Sequence, residues 1–284
     1  MKLIFDGDFK EDLSIMSIKY ITFFLWVSFL SSPVLALFEA EEIVIARTRL
    51  CPQVPFTQFD IRFSENELEN LRQLSITHEA EYENFGTSLD QLEMEADTYF
   101  KSLGSNESSL TEPLARMVSQ ITQKVMEGFG LESAWVALRA SVPNKLYDVP
   151  RWHQDGPYIS SHDGDQQKVV ITFKGLGTLF CSFPEELREV FDKLQDEIGM
   201  NTLKTLDLHD AYNMERRYQL DALIKGSKAS VHMPSLGTGS IFIAGTEYAA
   251  VHSEPPVGEI RLFMSIFPCT IAQAEELKSR RSKQ

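Results

Sequence analysis

The strongest constraint on the fold of this chain is a change in hydrophobic periodicity near residue 133. Before that point, apolar residues recur at helical spacing, as in the stripe of Leu114, Met117, Val118, Ile121 and Val125. After it, short alternating or β-branched segments are separated by Gly and Pro, which is the pattern of strands and turns. A chain of this kind is expected to combine a helical first half with a strand-rich second half.

The strand-rich half contains seven candidate strands and one helical interruption. The strand pattern covers residues 134–142, 168–173, 179–182, 229–233, 239–243, 248–252 and 260–267, and helical periodicity returns over 184–225. Many short strands with Gly and Pro between them favour two sheets packed face to face. We therefore predict an α+β fold, in which a double-stranded β-helix (a jelly roll, cupin-like) follows a helical N-terminal part.

Three regions follow from these patterns. Residues 1–36 are a targeting segment, residues 37–132 are mainly helical, and residues 133–284 form the jelly-roll region with a helical insert at 184–225. Within the second region, residues 37–63 are predicted to be extended. Ser64 followed by Glu67 is a capping box that predicts a helix start.

The N-terminal segment resembles a secretory signal peptide. An apolar run from Tyr20 to Leu30 precedes small residues that end at Ala36, where cleavage is expected. The stretch before Met16 is acidic, so Met16 is an alternative translation start. The predicted location is therefore secreted, periplasmic or in a secretory lumen, and Asn106 then begins a glycosylation sequon. A membrane anchor remains an alternative, because the apolar run approaches the length of a membrane-spanning helix. A buried helix in a cytoplasmic protein is the other alternative.

Charge and cysteine content exclude other classes of function. The formal net charge is −14, with 41 acidic against 27 basic side chains, so the surface repels phosphate backbones and no nucleic-acid partner is expected. The basic tail from Lys278 to Lys283 is predicted to be frayed and solvated. Cys51, Cys181 and Cys269 form no C-x-x-C pair, so a structural zinc site has no support.

Two motifs supply candidate metal ligands. His153 and Asp155 are separated by one residue, so in an extended segment their side chains point to the same face. His252 ends a later candidate strand and is the predicted third ligand, with His232 as its competitor. Two imidazoles and one carboxylate leave coordination positions open, which is typical of non-haem Fe(II) centres rather than of closed zinc sites.

Arg261 is a candidate anion-binding residue. It follows His252 by nine residues and lies in the next candidate strand. The planar guanidinium can hold a carboxylate through two parallel hydrogen bonds. An arginine in a strand is otherwise most often a surface or ion-paired residue.

These motifs, in this order, resemble the Fe(II)/2-oxoglutarate-dependent dioxygenase superfamily, over roughly residues 134–267. The combination of Arg139, His153-x-Asp155, the Gly-Leu-Gly-Thr turn at 175–178 and His252 before two prolines resembles a poorly characterised bacterial branch. The resemblance implies that His153, Asp155 and His252 hold Fe(II). It also implies that Arg261 binds the distal carboxylate of 2-oxoglutarate, the co-substrate, and that an unidentified substrate is hydroxylated. Many members carry a serine two residues after the arginine, where this chain has Phe263.

Two other functions remain open from the sequence. One is a metal-binding or catalytically inactive jelly-roll interaction module, with the helical half as its binding surface. The other is a metal-dependent hydrolase, for which Glu254 would be the candidate base. The substrate, a small molecule or a protein, is not identified by the sequence. Because 2-oxoglutarate is a cytosolic metabolite, an exported enzyme requires a membrane anchor, a lumenal or host-cell destination, or a different co-substrate.

Overall fold

Two antiparallel sheets organise the part of the chain that the structure, a computed structural model, describes. That part comprises residues 37–86, 88–144, 148–159, 165–182, 184–205 and 211–282, with the side chains of 199–205 left out. The strands are β1 (Phe56–Asp60), β2 (Ala80–Gly86), β3 (Ser133–Ser141), β4 (Gln166–Lys174), β5 (Leu179–Ser182), β6 (Ser230–His232), β7 (Thr238–Ala244), β8 (Val251–Ser253) and β9 (Arg261–Cys269). The large sheet has the order β1-β7-β4-β9-β3-β2, and the small sheet has the order β6-β5-β8.

Seven α-helices lie within the described residues. They are α1 (Ala40–Thr48), α2 (Glu65–Gln73), α3 (Leu89–Ser102), α4 (Ser108–Phe129), α5 (Arg188–Thr205), α6 (Ala211–Gly226) and α7 (Ile271–Arg281), and a 3-10 turn (Glu185–Leu187) precedes α5. The predicted capping box is confirmed, because the Ser64 side chain accepts from the Glu67 backbone and Glu67 accepts from Ser64. The seven predicted strands and the helices of the insert are all present.

The prediction that residues 37–63 are extended is wrong for residues 40–48, which form α1. The apolar residues of this short helix are consecutive in the sequence and do not recur at helical spacing. Only Ile43 and Ala46 are buried. The helix is held by packing against α4, where Gly128 lies so close to Ile43 that an added Cβ would be 2.5 Å from the Ile43 Cβ. Tertiary contact therefore determines this helix rather than local pattern. The same N-terminal region also supplies β1 and β2, the two edges of the large sheet.

The two faces of the large sheet have different neighbours. Leu262, Met264 and Ile266 of β9 join the main hydrophobic core, which also contains the apolar face of α4. Side chains alternate along a strand, so Arg261, Phe263 and Ser265 point to the opposite face, toward the small sheet. A second apolar cluster, formed by Val170, Phe180, Phe242 and Ala250, fills part of the space between the sheets.

The helical insert covers the outer face of the small sheet. Phe191 of α5 and Leu220 of α6 pack with Cys181 and Val251 in one buried cluster, together with Trp152. The Trp152 indole also donates to the Asp221 carboxylate at 3.1 Å. The insert is thus fixed beside the His153-x-Asp155 segment.

The basic tail is helical through Arg281 and its side chains 278–282 are exposed, so it is solvated as expected but is not frayed up to Arg281. Arg281, at the end of α7, lies 4.6 Å above the Trp135 ring and forms a 3.2 Å ion pair with Glu83. The predicted signal or anchor segment, residues 1–36, lies outside the described residues. Within the described ranges, no helix combines the length and apolar character needed to cross a bilayer.

Candidate metal centre

The structure brings His153, Asp155 and His252 together. His153 and His252 form an antiparallel bridge in which each backbone N–H donates to the other's carbonyl at 2.9 Å. The bridge adds the His153 segment to the free edge of β8, and Asp155 follows two residues later. One ligand atom from each of the three side chains lies within 4.8 Å of the other two.

Hydrogen bonds orient both imidazoles toward the carboxylate. The Nδ1 of His153 lies 2.7 Å from the Arg151 carbonyl, and the Nδ1 of His252 lies 3.0 Å from the Ala250 carbonyl. A carbonyl only accepts, so each Nδ1 carries a proton, and in the neutral imidazole the Nε2 then presents its lone pair. These two Nε2 atoms lie 3.4 Å and 3.7 Å from the Asp155 oxygens. Cis ligands at bond lengths of about 2.1 Å would be about 3 Å apart, so the three groups fit one divalent ion.

Asp155 is held in its ionised form by neighbouring groups. Its Oδ2 accepts from the Tyr158 hydroxyl and lies 3.2 Å from the Lys168 ammonium, which also donates to the Tyr158 oxygen at 2.7 Å. Burial opposes ionisation, but the charge of Lys168 and the contacts with the two histidines hold the pKa of Asp155 well below its usual range. The carboxylate is therefore ready to bind a cation.

His252 is held in its neutral form. Burial, followed by the nearby His153, lowers the pKa of His252 to about 4, although Asp155 acts in the opposite direction. A neutral imidazole is the form that binds a metal ion. The site therefore favours a metal ligand at this position rather than a protonated histidine.

Arg261 is buried at the start of β9, with 3% of its surface exposed. Its Nε donates to the Leu176 carbonyl at 2.9 Å and its Nη2 to the Thr178 hydroxyl at 3.0 Å, while its guanidinium lies 4.0 Å from the Phe263 ring centre. Burial, then Arg151 and Arg139, lowers the pKa of Arg261 to about 9. An oxyanion bound here would offset the cost of this buried cation.

The turn before β5 positions Arg261. Gly175 has φ of +79°, and an added Cβ would lie 2.4 Å from the Ile260 carbonyl oxygen. A side chain at this position would therefore be strained and would also collide with the backbone. The close approach places the acceptors of Leu176 and Thr178 against the guanidinium.

A cavity of about 270 Å³ joins the triad to the neighbours of Arg261. His153, Asp155 and His252 line one part of it, and Thr178 and Phe263 line another. Ser265, the next hydroxyl along β9 after Phe263, lies on the same wall. A small polar molecule in this cavity can reach the metal ligands and the surroundings of Arg261 together.

The other residues discussed as site candidates lie outside the group formed by His153, Asp155 and His252. His232 is exposed on β6 and is not part of the metal-ligand group, which contains His252 instead. Trp152 lines a neighbouring cavity through its buried indole. The histidines at positions 162 and 209 lie outside the described residues.

The sequence did not indicate Lys168, Thr178 or Arg281 as residues of the site. It also did not indicate that the Tyr158 hydroxyl contacts Asp155. Lys168 is the one lysine in the otherwise apolar or neutral run 166–173 of β4, which is the signal that could have singled it out. The turn that contains Thr178 was singled out, but its contact with Arg261 was not, because the two residues are distant in sequence. The contact of Tyr158 depends on the bend after Asp155. Arg281 reaches the cavity only because α7 packs against β2 and β3.

Comparisons with known proteins found likenesses only among solved structures. No family model matches the chain, and no curated protein matches it. Matching structures include a Kdo hydroxylase described as a non-haem Fe(II) alphaketoglutarate-dependent dioxygenase, at 15% identity and TM-score 0.44, over 86% of this chain and 88% of the other. A Pseudomonas putida prolyl-4-hydroxylase matches at 12% identity and TM-score 0.37, over 81% and 98%. A Trichoplax adhaerens prolyl hydroxylase matches at 9% identity and TM-score 0.38, over 84% and 91%.

These matching proteins are Fe(II)/2-oxoglutarate-dependent oxygenases.

Proposed function

We propose that this chain is a non-haem Fe(II)/2-oxoglutarate-dependent dioxygenase that hydroxylates a substrate. The observation that carries the proposal is the convergence of His153, Asp155 and His252 on one point, with Asp155 held ionised and His252 held neutral. Two imidazoles and a carboxylate on one side of an ion leave the opposite side open for other ligands. Fe(II) bound here, with 2-oxoglutarate and dioxygen, supplies the oxidant that converts a C–H bond to C–OH, with succinate and CO2 as co-products.

The architecture supports the double-stranded β-helix that we propose for the strand-rich half. The large-sheet strands β7-β4-β9-β3 face a smaller sheet in which the His153 segment, β8, β5 and β6 follow one another. Each sheet then contributes four neighbouring strands or segments, which alternate along the chain except that β5 and β6 follow each other in the small sheet. In this arrangement, His153 and His252 lie at adjacent positions of the small sheet, and Arg261 begins a strand of the large one.

Arg261 supplies the proposed co-substrate contact. A buried guanidinium near the end of the cavity can hold the distal carboxylate of 2-oxoglutarate, with the hydroxyl of Thr178 beside it. Phe263 occupies the position of the serine expected from the family resemblance, and its ring stacks on the guanidinium instead of bonding to the carboxylate. Thr178, from another strand, provides the hydroxyl that Phe263 lacks.

The hydrolase alternative has less support. Glu254, the candidate base, is ion-paired with Arg151 and lies 3.8 Å from Arg139. A carboxylate held by two guanidinium groups is a weak base toward water. An interaction module that binds no metal does not explain why two imidazoles and a carboxylate are oriented toward a common point, and one that only binds metal does not use the buried Arg261 beside the cavity.

The proposal is tested by succinate formation from 2-oxoglutarate, using the full chain with Fe(II), ascorbate and oxygen. We expect turnover in the wild type and at least about a 100-fold loss in His153→Ala and Arg261→Ala, since each removes a buried charge-assisted or metal contact. Arg116→Ala, at an exposed position on α4, is the matched control and should retain full activity. Binding of Mn(II) without binding of 2-oxoglutarate would contradict the co-substrate assignment, and absence of metal binding would favour the interaction module.

A further inference from the structure

A second cavity, of about 290 Å³, adjoins the metal centre on the side of His153. It shares His153, Arg139 and Glu254 with the first cavity, and its outer wall comes from the helical insert through Gln195 and Arg217. The His153 side chain is 40% exposed, whereas that of His252 is 7% exposed. A molecule that approaches the triad from solvent therefore approaches past His153.

The insert is fixed to the metal-binding segment at this cavity. The Gln195 side chain of α5 accepts from the backbone N–H of Gln154 at 2.6 Å, and the Gln154 side chain donates to the Ala249 carbonyl at 2.6 Å. Gln154 is the residue between His153 and Asp155. The wall formed by the insert thus has a defined position relative to the triad, as a substrate-binding wall requires.

The wall of the second cavity is rich in arginine. Arg139, Arg151 and Arg217 line it, with Glu254 as the acidic residue of the lining, and Arg139 also pairs with Glu81 at 2.7 Å. Arg217 is 7% exposed, and Arg151 is two residues before His153, on the same face of an extended segment. This concentration of positive charge contrasts with the net charge of −14 for the whole chain. It would attract an anion into a cleft of an otherwise acidic protein.

The wall formed by the insert and the proposed co-substrate contact belong to different elements. Arg261 begins β9, whereas Arg217 and Gln195 lie on the helical insert. A 2-oxoglutarate dianion at Arg261 would therefore not occupy the wall formed by Arg217 and Gln195.

We propose that the second cavity binds the substrate, and that this substrate is a small molecule with a carboxylate, phosphate or similar oxyanion group held by Arg151 and Arg217. The inference rests on the proposed function and specifies its substrate class. Guanidinium groups bind such oxyanions through paired, charge-assisted hydrogen bonds. The volume admits a small group, and the acidic surface repels a polyanion such as nucleic acid.

The test is anion binding to the full chain loaded with Mn(II) and saturated with 2-oxoglutarate, so that the site at Arg261 is filled. The probes are inorganic phosphate and acetate, with acetamide as the neutral analogue of acetate, and binding is measured by isothermal titration calorimetry. We expect phosphate or acetate to bind, and acetamide not to bind. Arg151→Gln and Arg217→Gln should weaken binding at least about 10-fold, which corresponds to the loss of one hydrogen bond to a charged group.

Two control variants distinguish loss of the substrate site from a general loss of positive charge and from loss of folding. Arg116→Gln removes an exposed cation on α4 and should leave anion binding unchanged. Arg217→Lys keeps the charge and should retain part of the binding, which separates loss of the anion contact from loss of folding. The affinity for 2-oxoglutarate should stay within about 3-fold of the wild type in Arg151→Gln and Arg217→Gln, since their proposed role is not at the co-substrate end.

Three results would overturn the inference: no anion binding once 2-oxoglutarate is saturating, equal binding of acetamide, or loss of 2-oxoglutarate affinity in Arg151→Gln and Arg217→Gln. The proposed function fails separately. If 2-oxoglutarate does not bind but phosphate binds and is lost in Arg217→Gln, then the anion site stands and the dioxygenase assignment does not.

Discussion

At the residue scale, the orientation of Asp155 depends on Tyr158. The Tyr158 hydroxyl donates to Asp155, and burial followed by the charge of Asp155 raises the pKa of Tyr158 well above its ordinary value. The phenol thus keeps its proton and remains a donor. Its ring packs 5.4 Å from Trp135 and 5.1 Å from Phe267, so Phe fills the same space without the hydroxyl.

We expect Tyr158→Phe to weaken Mn(II) binding about 10-fold or more, since hydrogen-bond partners of metal-binding carboxylates contribute on that scale. Calorimetric titration of the metal-free protein measures this. Tyr218→Phe is the matched control, because the Tyr218 hydroxyl bonds to Asp148 on the surface. Equal Mn(II) affinities of Tyr158→Phe and the wild type would show that the hydrogen bond from Tyr158 to Asp155 does not contribute to metal binding.

The three cysteines differ in their expected reactivity. Cys51 is partly exposed, whereas Cys181 and Cys269 are buried, and none of them forms a disulfide in the structure. Burial raises the pKa of both Cys181 and Cys269 to about 11. Because the thiolate is the reactive form, iodoacetamide at pH 8 should modify only Cys51 of the native protein and all three cysteines after unfolding in urea. Mass spectrometry of the labelled peptides locates the label, and rapid native labelling of Cys269 would contradict the buried position.

At the element scale, Asn106 connects the end of α3 to the segment after α2. Its side chain accepts from the Ser75 N–H and donates to the carbonyls of Ser75 and Phe100, each at 2.9 Å. Both amide hydrogens are thus used within the fold, although the sequence around Asn106 matches a glycosylation sequon. This side chain is a structural link.

Asn106→Ala should lower the free energy of unfolding by about 2 kcal/mol, because it leaves partly buried backbone groups without partners. Urea denaturation followed by circular dichroism gives the value. Asn66→Ala, at an exposed position in α2, is the control and should change stability by less than about 0.5 kcal/mol. An equal effect of both substitutions would mean that the hydrogen bonds of Asn106 contribute nothing specific.

At the scale of the whole molecule, a bound metal would link segments that are far apart in sequence. His153 and Asp155 precede β4, whereas His252 lies on β8, after the helical insert. The ion binds only where the fold brings these segments together, so it stabilises the folded state by mass action.

Mn(II) at about 100 times its dissociation constant should stabilise the protein by about 2.7 kcal/mol. For a domain of this size, the melting temperature should then rise by roughly 5–10 °C. Differential scanning fluorimetry measures the shift, and excess EDTA should abolish it. His252→Ala should show no shift, and a shift of equal size in this variant would place the ion elsewhere.

The sequence by itself indicated strands β3 to β9, most helices and the three candidate ligands, because these depend on local periodicity and residue type, but it did not indicate β2 at the edge of the large sheet. Alternation placed His153 and Asp155 on one face, and a capping box marked the start of α2. Helix α1 was missed, because its helical state depends on packing against α4 rather than on its own pattern.

The tertiary structure alone decided which distant groups meet. It placed His252 beside His153 and Asp155, whereas His232 lies on the other side of β5 and faces solvent. It also brought Lys168 and Tyr158 into contact with Asp155, and Thr178 into contact with Arg261. Helix docking positioned Arg217 in the wall beside His153. The physical reason is that sheet register and helix docking set these contacts, and both arise from burial of apolar faces across the whole chain.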